Sequence, residues 1–527
     1  MKDKMNWFQK KENIRFLLQV MFAAALPWLC AFLYLFLQGK GLGEVWLPGS
    51  EWNDELFYYK QVEGMVKEGY PLGYFGFNES HALKLSFAAW SPVLVLPWVL
   101  WGKIFGWTLL SPYICNLVLL SAAMGAYVIL VRPSVKQELL LVLLFVLYAP
   151  FVRYLFSGMP EIICFSMVIL FYGLGISEGR KHSGGKLISL FGLAACMSLM
   201  RPYFLLFLLL PAYFWIRKSG WKGLLGAGGV IGLTVLCYGL IKHYLGAAYF
   251  ADLFFTDWIK AFFERGIFGG CRYTLGKLYY MGKDMGIHMI EGVRHGLASG
   301  AHFFSFLTLL ILLFIQTVKE LKAGKTKEGD KGLLFAECHL LFSCIAMFFA
   351  LLLMYKLTEG SKHLLTFVVA GIFVVSLMAD TKGAWKSVVL GLVFVYFYWM
   401  MARSAYDYQI PFVTKERLQQ LAVWQERFED EITLTREGTP SYDNVMIWVL
   451  SDQRDGKVIY SKWQVLYGLP EGMGISCCKD DYVLEHLSEL ESKYLITLNA
   501  GEVDRRLCDS GGNEIYRDAD LVLYRLH

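Results

Sequence analysis

Two adjacent carboxylates, Asp54 and Glu55, stand in the stretch GSEWNDELFYY (residues 49–59), shortly after the first long apolar run. A carboxylate held beside a hydroxyl can take its proton in a transition state, an effect worth roughly a hundred- to ten-thousand-fold in rate. The pair also has a plain structural explanation. Asn53 is a good helix N-cap residue, and Asp54 and Glu55 would then lie in the first turn, where the macrodipole favours negative charge. Leu56, Tyr59, Val62 and Val66 recur at helical spacing, so a helix is expected on either explanation.

Other charged residues gather at the ends of apolar runs. A charge at membrane depth costs about 2.5–3.5 kcal/mol at a helix centre, so such placements need a water-filled outer cavity or an anionic ligand. Arg153 and Glu161 flank one break between runs, Arg201 lies between LAACMSLM and YFLLFLLL, and Lys362 and His363 close the segment KLTEGSKH. Arg201, Lys362 and His363 could each contact a phosphate, or reach toward lipid headgroups as ordinary turn residues do. Glu161 follows Pro160 and also suits the first turn of a helix. The run YPLGYFGFNESHALK adds Glu79, His81 and Lys84 as candidate substrate or supporting residues. Asp284, His288, Glu291 and His295 share one helical face; a solvated face explains them, and a divalent metal remains allowed, but no metal site is assigned. No P-loop, dinucleotide fingerprint, HExxH or GxSxG motif occurs.

The elements that must position these residues are membrane helices. The chain of 527 residues is 56% apolar, 16% aromatic and only 18% charged, and long apolar runs alternate with short basic loops. The net charge of +5 is therefore an insertion signal and no sign of a nucleic-acid partner. The basic start MKDKMNWFQKKENIR is read as cytoplasmic, ahead of a retained first span at residues 16–37. An external loop at 39–85 follows. Residues 86–107 are broken by Pro92 and Pro97 and rich in tryptophan, which suits an interfacial or re-entrant helix pair. Further spans are expected near 109–131, from 139, at 161–176, on both sides of Arg201, at 224–244, after a second external loop at 247–302, and at 333–354, 364–378 and 388–401. The sum is about 11 spans, N-terminus inside and C-terminus outside.

Residues 1–402 thus form a transmembrane domain and residues 403–527 an extracytoplasmic α/β domain. In the latter, 414–431 reads as an amphipathic helix, 444–450, 457–460, 494–498 and 521–526 as strands, and 482–491 as a second helix. The fold class is mainly α, a polytopic helical bundle with a small C-terminal α/β domain. Most of the eleven cysteines lie in or beside apolar runs; a disulfide from Cys477 or Cys478 to Cys508 is allowed.

Taken together, the WNDE sequence after the first span, the Pro- and Trp-rich run ending in GKIFGW, the short spans around Met200-Arg201-Pro202 and the late Lys362-His363 resemble the GT-C fold. The likeness is to its polytopic glycosyltransferases that use lipid phosphosugars, among them protein O-mannosyltransferases and aminoarabinose transferases. The resemblance implies a polyprenyl-phosphate sugar donor, an extracytoplasmic acceptor, transfer with inversion, and surrounding lipids of the plasma membrane. It further implies Asp54 as base, Glu55 as a neighbouring helper, and Arg201 and Lys362 as phosphate contacts. Members that carry Arg-Tyr where this chain has Lys362-His363 differ at the late contact. A polymerase or ligase of lipid-linked glycans and a transporter or flippase are the rival readings; transporters often show inverted repeats, and none is visible here.

The charge rule yields a direct expectation. A reporter active only in the cytoplasm, fused after His527, should stay silent, and strong activity would overturn the assigned topology.

Overall fold

A computed structural model describes residues 2–45, 47, 52–69, 75–79, 90–246, 255–323, 331–377, 391, 412–435 and 441–527. Its helical part begins with α1 (Lys2–Leu37), α2 (Asp54–Glu68), α3 (Leu96–Phe105), α4 (Ser111–Val131), α5 (Val135–Leu147) and α6 (Ala149–Leu155). It continues with α7 (Glu161–Arg180), α8 (Gly184–Met200), α9 (Leu209–Ser219), α10 (Trp221–Leu245), α11 (Asp257–His295), α12 (Ala298–Ala323), α13 (Lys331–Met354), α14 (Leu357–Gly360) and α15 (Leu364–Ser376). Among the described residues, six helices are long and apolar enough to cross a membrane: Glu12–Leu37 of α1, α4, α7, α10, Ala298–Lys322 of α12, and α13.

Proline and charge make the remaining expected spans shorter. A span was expected from about residue 139, but Pro150 opens α6 and leaves α5 with 13 residues. Around Arg201 the expected break is present: α8 ends at Met200, Arg201 is extended, and Pro202–Leu208 forms a 3₁₀ turn before α9. Pro92–Val95 and α3 replace a full crossing before Trp107, as the two prolines suggested. The expected span at 388–401 lies outside the described residues apart from Gly391.

The centre of the bundle is α7, which packs against α4, α8, α13 and α15. Its side chains from Ile162 to Ile176 are almost all buried, so the run is apolar all round rather than on one stripe. Gly179 lets α7 meet α13 closely, since a Cβ there would stand 2.5 Å from Gly332 Cα.

The C-terminal part contains α16 (Lys415–Glu431), capped by the Thr414 side chain, together with α17 (Asp480–His486) and α18 (Glu502–Asp509). The expected helix at 482–491 is thus shorter, ending before the turn to the next strand. The strands are β1 (Phe75–Phe77), β2 (Val445–Val449), β3 (Ser451–Arg454), β4 (Lys457–Tyr460), β5 (Gly474–Cys478), β6 (Tyr494–Leu498), β7 (Asn513–Arg517) and β8 (Leu521–Arg525). Six of them make one sheet in the order β1-β5-β2-β6-β8-β7, while β3 and β4 form a separate hairpin. β1, β5, β2 and β6 run parallel, and β8 pairs antiparallel with both β6 and β7. The sheet therefore draws on both sides of the 402/403 division, because β1 comes from the first loop. All eleven cysteines are free: Cys477 and Cys478 are buried in β5, and Cys508 Sγ lies 3.1 Å from the Tyr524 hydroxyl. The pairing with Cys508 that the sequence allowed is not formed.

β1 is held in place by Glu79, which follows it. Glu79 is buried and its carboxylate accepts hydrogen bonds from the backbone N–H of Glu491 (3.1 Å) and Ser492 (2.7 Å). Its own N–H donates to Ser476 Oγ at 2.6 Å. Removing the carboxylate in Glu79→Ala leaves two amides to find other partners, which should cost about 1–3 kcal/mol. The check is hydrogen exchange: the amides of Glu491 and Ser492 should exchange faster while the helical bundle stays protected.

Candidate active site

The charged residues singled out in the sequence meet at one end of the bundle. Asp54 and Glu55 open α2, Arg153 lies near the end of α6, Glu161 opens α7, Arg201 follows α8, and Lys362 and His363 precede α15. Three ion pairs join them. Lys362 Nζ lies 3.2 Å from Asp54 Oδ2, Arg153 Nη2 lies 3.3 Å from Glu55 Oε1, and Arg201 Nη2 lies 2.8 Å from Glu161 Oε1.

The two members of the acidic pair have different surroundings. Neighbours on a helix point about 100° apart, so one can face solvent while the other faces protein. The Asp54 side chain is 47% exposed and that of Glu55 only 1%. Glu55 Oε1 also accepts a hydrogen bond from Ser157 Oγ at 2.7 Å, and Arg153 lies over the Trp52 ring at 3.8 Å. The Ser157 turn is itself fixed by Asn116 of α4, whose Nδ2 donates to Ser157 O at 3.1 Å while its Oδ1 accepts from Trp98 Nε1 at 3.1 Å. Gly158 permits this approach: a Cβ there would sit 2.8 Å from Leu47 Cδ2 and 3.2 Å from Glu55 Cβ. Asn53 precedes α2, yet its side chain makes no capping hydrogen bond.

Arg201 is buried, and its guanidinium is bounded by Glu161, by the Tyr203 hydroxyl that accepts from Nη1 at 3.1 Å, and by the Trp90 ring 5.3 Å away. His363 packs edge-on against Trp90, with ring centroids 5.0 Å apart, and lies 5.7 Å from Tyr203. Arg201 Nε, His363 Nδ1 and Glu161 Oε2 are buried with no hydrogen-bond partner among the described residues. The turn that carries Lys362 is anchored to α12 by His302 Nδ1, 3.0 Å from Ser361 Oγ. Tyr58, one helical turn beyond Asp54, stands in the field of Arg201, Glu161 and Asp54; burial pushes its phenol well above the ordinary tyrosine range.

Sequence reasoning singled out Asp54, Glu55, Arg153, Glu161, Arg201, Lys362 and His363, and the fold brings all of them to this end. Glu79 is elsewhere, turned to the C-terminal sheet. His81 and Lys84 lie outside the described residues. The residues it missed are Tyr58, Trp90, Ser157 and Tyr203, which carry no charge and read as parts of apolar runs or turns. Among the described residues no three His, Cys, Asp or Glu side chains converge as metal ligands. His288 bonds Ser299 Oγ at 3.0 Å, and Glu291 and His295 pair at 3.3 Å.

No family profile matches the chain, and no curated protein matches it. Among solved structures it is similar to ArnT from Cupriavidus metallidurans bound to undecaprenyl phosphate, at 12% identity over 96% of this chain and 98% of that one, with a TM-score of 0.48. The apo state of the same protein aligns at 11% identity over 90% of this chain and 93% of that one, with a TM-score of 0.41. A likeness at this level assigns no residue a role.

The burial of Arg201 changes what its removal does. Arg201→Met strands Glu161 as an unpaired buried charge, which should cost about 3–5 kcal/mol, whereas Glu161→Gln/Arg201→Met removes both charges and should recover most of that loss. Thermal unfolding in detergent distinguishes the two. Equal losses in the single and double variants would mean the ion pair contributes nothing of its own.

Proposed function

We propose that this chain is a membrane glycosyltransferase that moves a sugar from a polyprenyl-phosphate donor to a hydroxyl of an extracytoplasmic acceptor, with inversion at the anomeric carbon. The observation that supports this reading best is the juxtaposition of a solvent-open carboxylate with cations at one end of an apolar bundle. Asp54 and Lys362 are both accessible, while the Glu161–Arg201 pair lies buried behind them, within reach of Tyr58 on the Asp54 helix. The placement of this end outside the plasma membrane follows the basic loops of the sequence.

The chemistry asks for one base and one anion cradle. Asp54 takes the proton of the acceptor hydroxyl as its oxygen attacks the anomeric carbon. The bond from that carbon to the phosphate oxygen breaks, its electron pair leaves with the phosphate, and the polyprenyl phosphate departs more negative than it arrived. Lys362 is a flexible point charge, 32% exposed, and can turn from Asp54 to the phosphate when the donor enters. The same movement frees the Asp54 carboxylate for the acceptor. Arg201 offers its unpartnered Nε from the buried side, and His363 stands beside it. In a site shielded from water these charges stabilise the developing phosphate more than they could in solution. Glu55 does not face the solvent; it holds Arg153 and Ser157, and so fixes the start of α2 from which Asp54 projects.

The experiment is sugar transfer from a polyprenyl-phosphate donor, followed in detergent or liposomes. Asp54→Asn keeps the shape and removes the proton acceptor, so turnover should fall by on the order of a hundred-fold or more with little loss of stability. Glu55→Gln should act mainly on folding, because it removes the anionic partner of Arg153. A well-folded Asp54→Asn variant with undiminished turnover would remove the base from this mechanism.

A further inference from the structure

The proposed site makes no use of α11, the helix between α10 and α12. α11 is broken at Gly266, whose φ of 66° and ψ of 179° lie where glycine alone is relaxed. The break folds the first arm back on the second. The Phe262 ring lies against Gly270, where a Cβ would collide with Phe262 Cδ1, and Asp257 Oδ2 accepts from Lys277 Nζ at 2.7 Å and from the Tyr273 hydroxyl at 2.9 Å. Both ends of the hairpin are tied to the bundle: Phe255 N–H donates to Met354 O at 2.9 Å, and His288 Nδ1 lies 3.0 Å from Ser299 Oγ.

Beside the bend is a cavity of ≈ 660 Å³ whose lining, among the described residues, includes Arg265, Arg272, Lys277, Tyr273 and Tyr280 and no carboxylate. Lys277 is paired with Asp257, but neither Arg265 nor Arg272 has an ion pair among the described residues. Arg265 lies over the Tyr273 ring at 5.3 Å. At the tip, Phe263 (86%), Ile267 (74%) and Phe268 (92%) project almost fully exposed. Such side chains bury themselves in acyl chains when a bilayer is near, and α10 and α12, both long and apolar enough to span one, flank α11 in the chain. Cations and tyrosines beside an apolar tip reproduce the layering of a lipid: charged headgroup, polar interface, hydrocarbon.

We propose that the α11 bend binds the phosphate headgroup of an anionic membrane lipid, with Arg265 and Arg272 on the phosphate and Phe263, Ile267 and Phe268 in the acyl layer. This site is separate from the one around Asp54 and does not depend on the transferase reading. Binding couples charge to apolar insertion, so a soluble anion satisfies only half of it.

The test uses the full chain in detergent with phosphatidylglycerol, phosphatidylcholine or inorganic phosphate added, read by native mass spectrometry for retained lipid and by thermal shift. Phosphatidylglycerol should be retained and should raise the apparent Tm, and phosphatidylcholine and inorganic phosphate should do so much less. Arg265→Gln/Arg272→Gln should weaken phosphatidylglycerol binding about tenfold or more. Phe263→Ser/Phe268→Ser removes only exposed surface, so it should fold normally and also bind more weakly; it decides the matter should the arginine variant fail to fold. Equal retention of phosphatidylcholine, equal protection by inorganic phosphate, or unchanged phosphatidylglycerol binding in the folded serine variant would each overturn the proposal.

Discussion

A carboxylate taken out of water must either take up a proton or bring a cation with it, and two carboxylates paired with cations organise one end of this protein. Glu55 and Glu161 are both about 1% exposed, and each is joined to an arginine from a different part of the chain. An unpaired buried ion costs several kcal/mol, which is comparable to the whole stability of many folds. The ends of α2, α6, α7 and α8 therefore cannot separate without stranding a charge. The bundle elsewhere is mostly apolar against apolar, with a few buried polar contacts such as Tyr172 to His339 Nδ1 (3.1 Å) and Gln19 Nε2 to Glu138 Oε2 (2.8 Å), and apolar packing fixes how close helices lie better than which residues meet. The ion pairs supply the missing registration, and they do so where the proposed chemistry needs it.

The acidic pair divides its work because of helix geometry. With Glu55 turned inward onto Arg153 and Ser157, Asp54 has no choice but to face outward, toward Lys362. A buried anchor beside an open carboxylate gives a base that is well positioned and still reachable. On the far side of α2, Trp107 Nε1 donates to Tyr59 O at 3.1 Å, and the buried Lys60 Nζ pairs with Glu63 at 2.9 Å and donates to Leu469 O at 3.1 Å. Burial pushes the Glu63 carboxyl above its usual range, against the pull of Lys60. The same short helix thus contacts the bundle, the site and the C-terminal domain, and β1 adds backbone pairing from the first loop to that domain's sheet. The two parts are built as neighbours at one end of the molecule rather than as a bundle with a tethered appendage.

Membrane helices were legible in the sequence because lipid leaves a long apolar run few options, and the positions of α1, α4, α7, α10, α12 and α13 follow the hydropathy closely. The breaks at Pro92 and Pro202 were legible where proline removes a donor, though how far each shortened its helix was not, and the break at Pro150, inside an otherwise apolar run, was not foreseen. Strands β2, β6 and β8 were readable as buried apolar runs. β1 and β5 were not: FGF is too short to signal a strand and GISCC has no alternation, and both are strands because they lie side by side.

At the site, the residue types Asp54, Glu55, Arg153, Glu161, Arg201, Lys362 and His363 were determined by the sequence, since charge beside apolar runs is costly enough to be conspicuous. Which charge would pair with which was decided only by the tertiary structure. Asp54 and Lys362 are 308 positions apart, Glu55 and Arg153 98, and Glu161 and Arg201 40. No local pattern encodes a contact at such separations; it arises when packed helices bring their ends together and the cost of burying charge selects the partners. The uncharged members, Tyr58, Trp90, Ser157 and Tyr203, become recognisable only then, because their types are ordinary in apolar helices and turns and their importance lies wholly in what stands next to them.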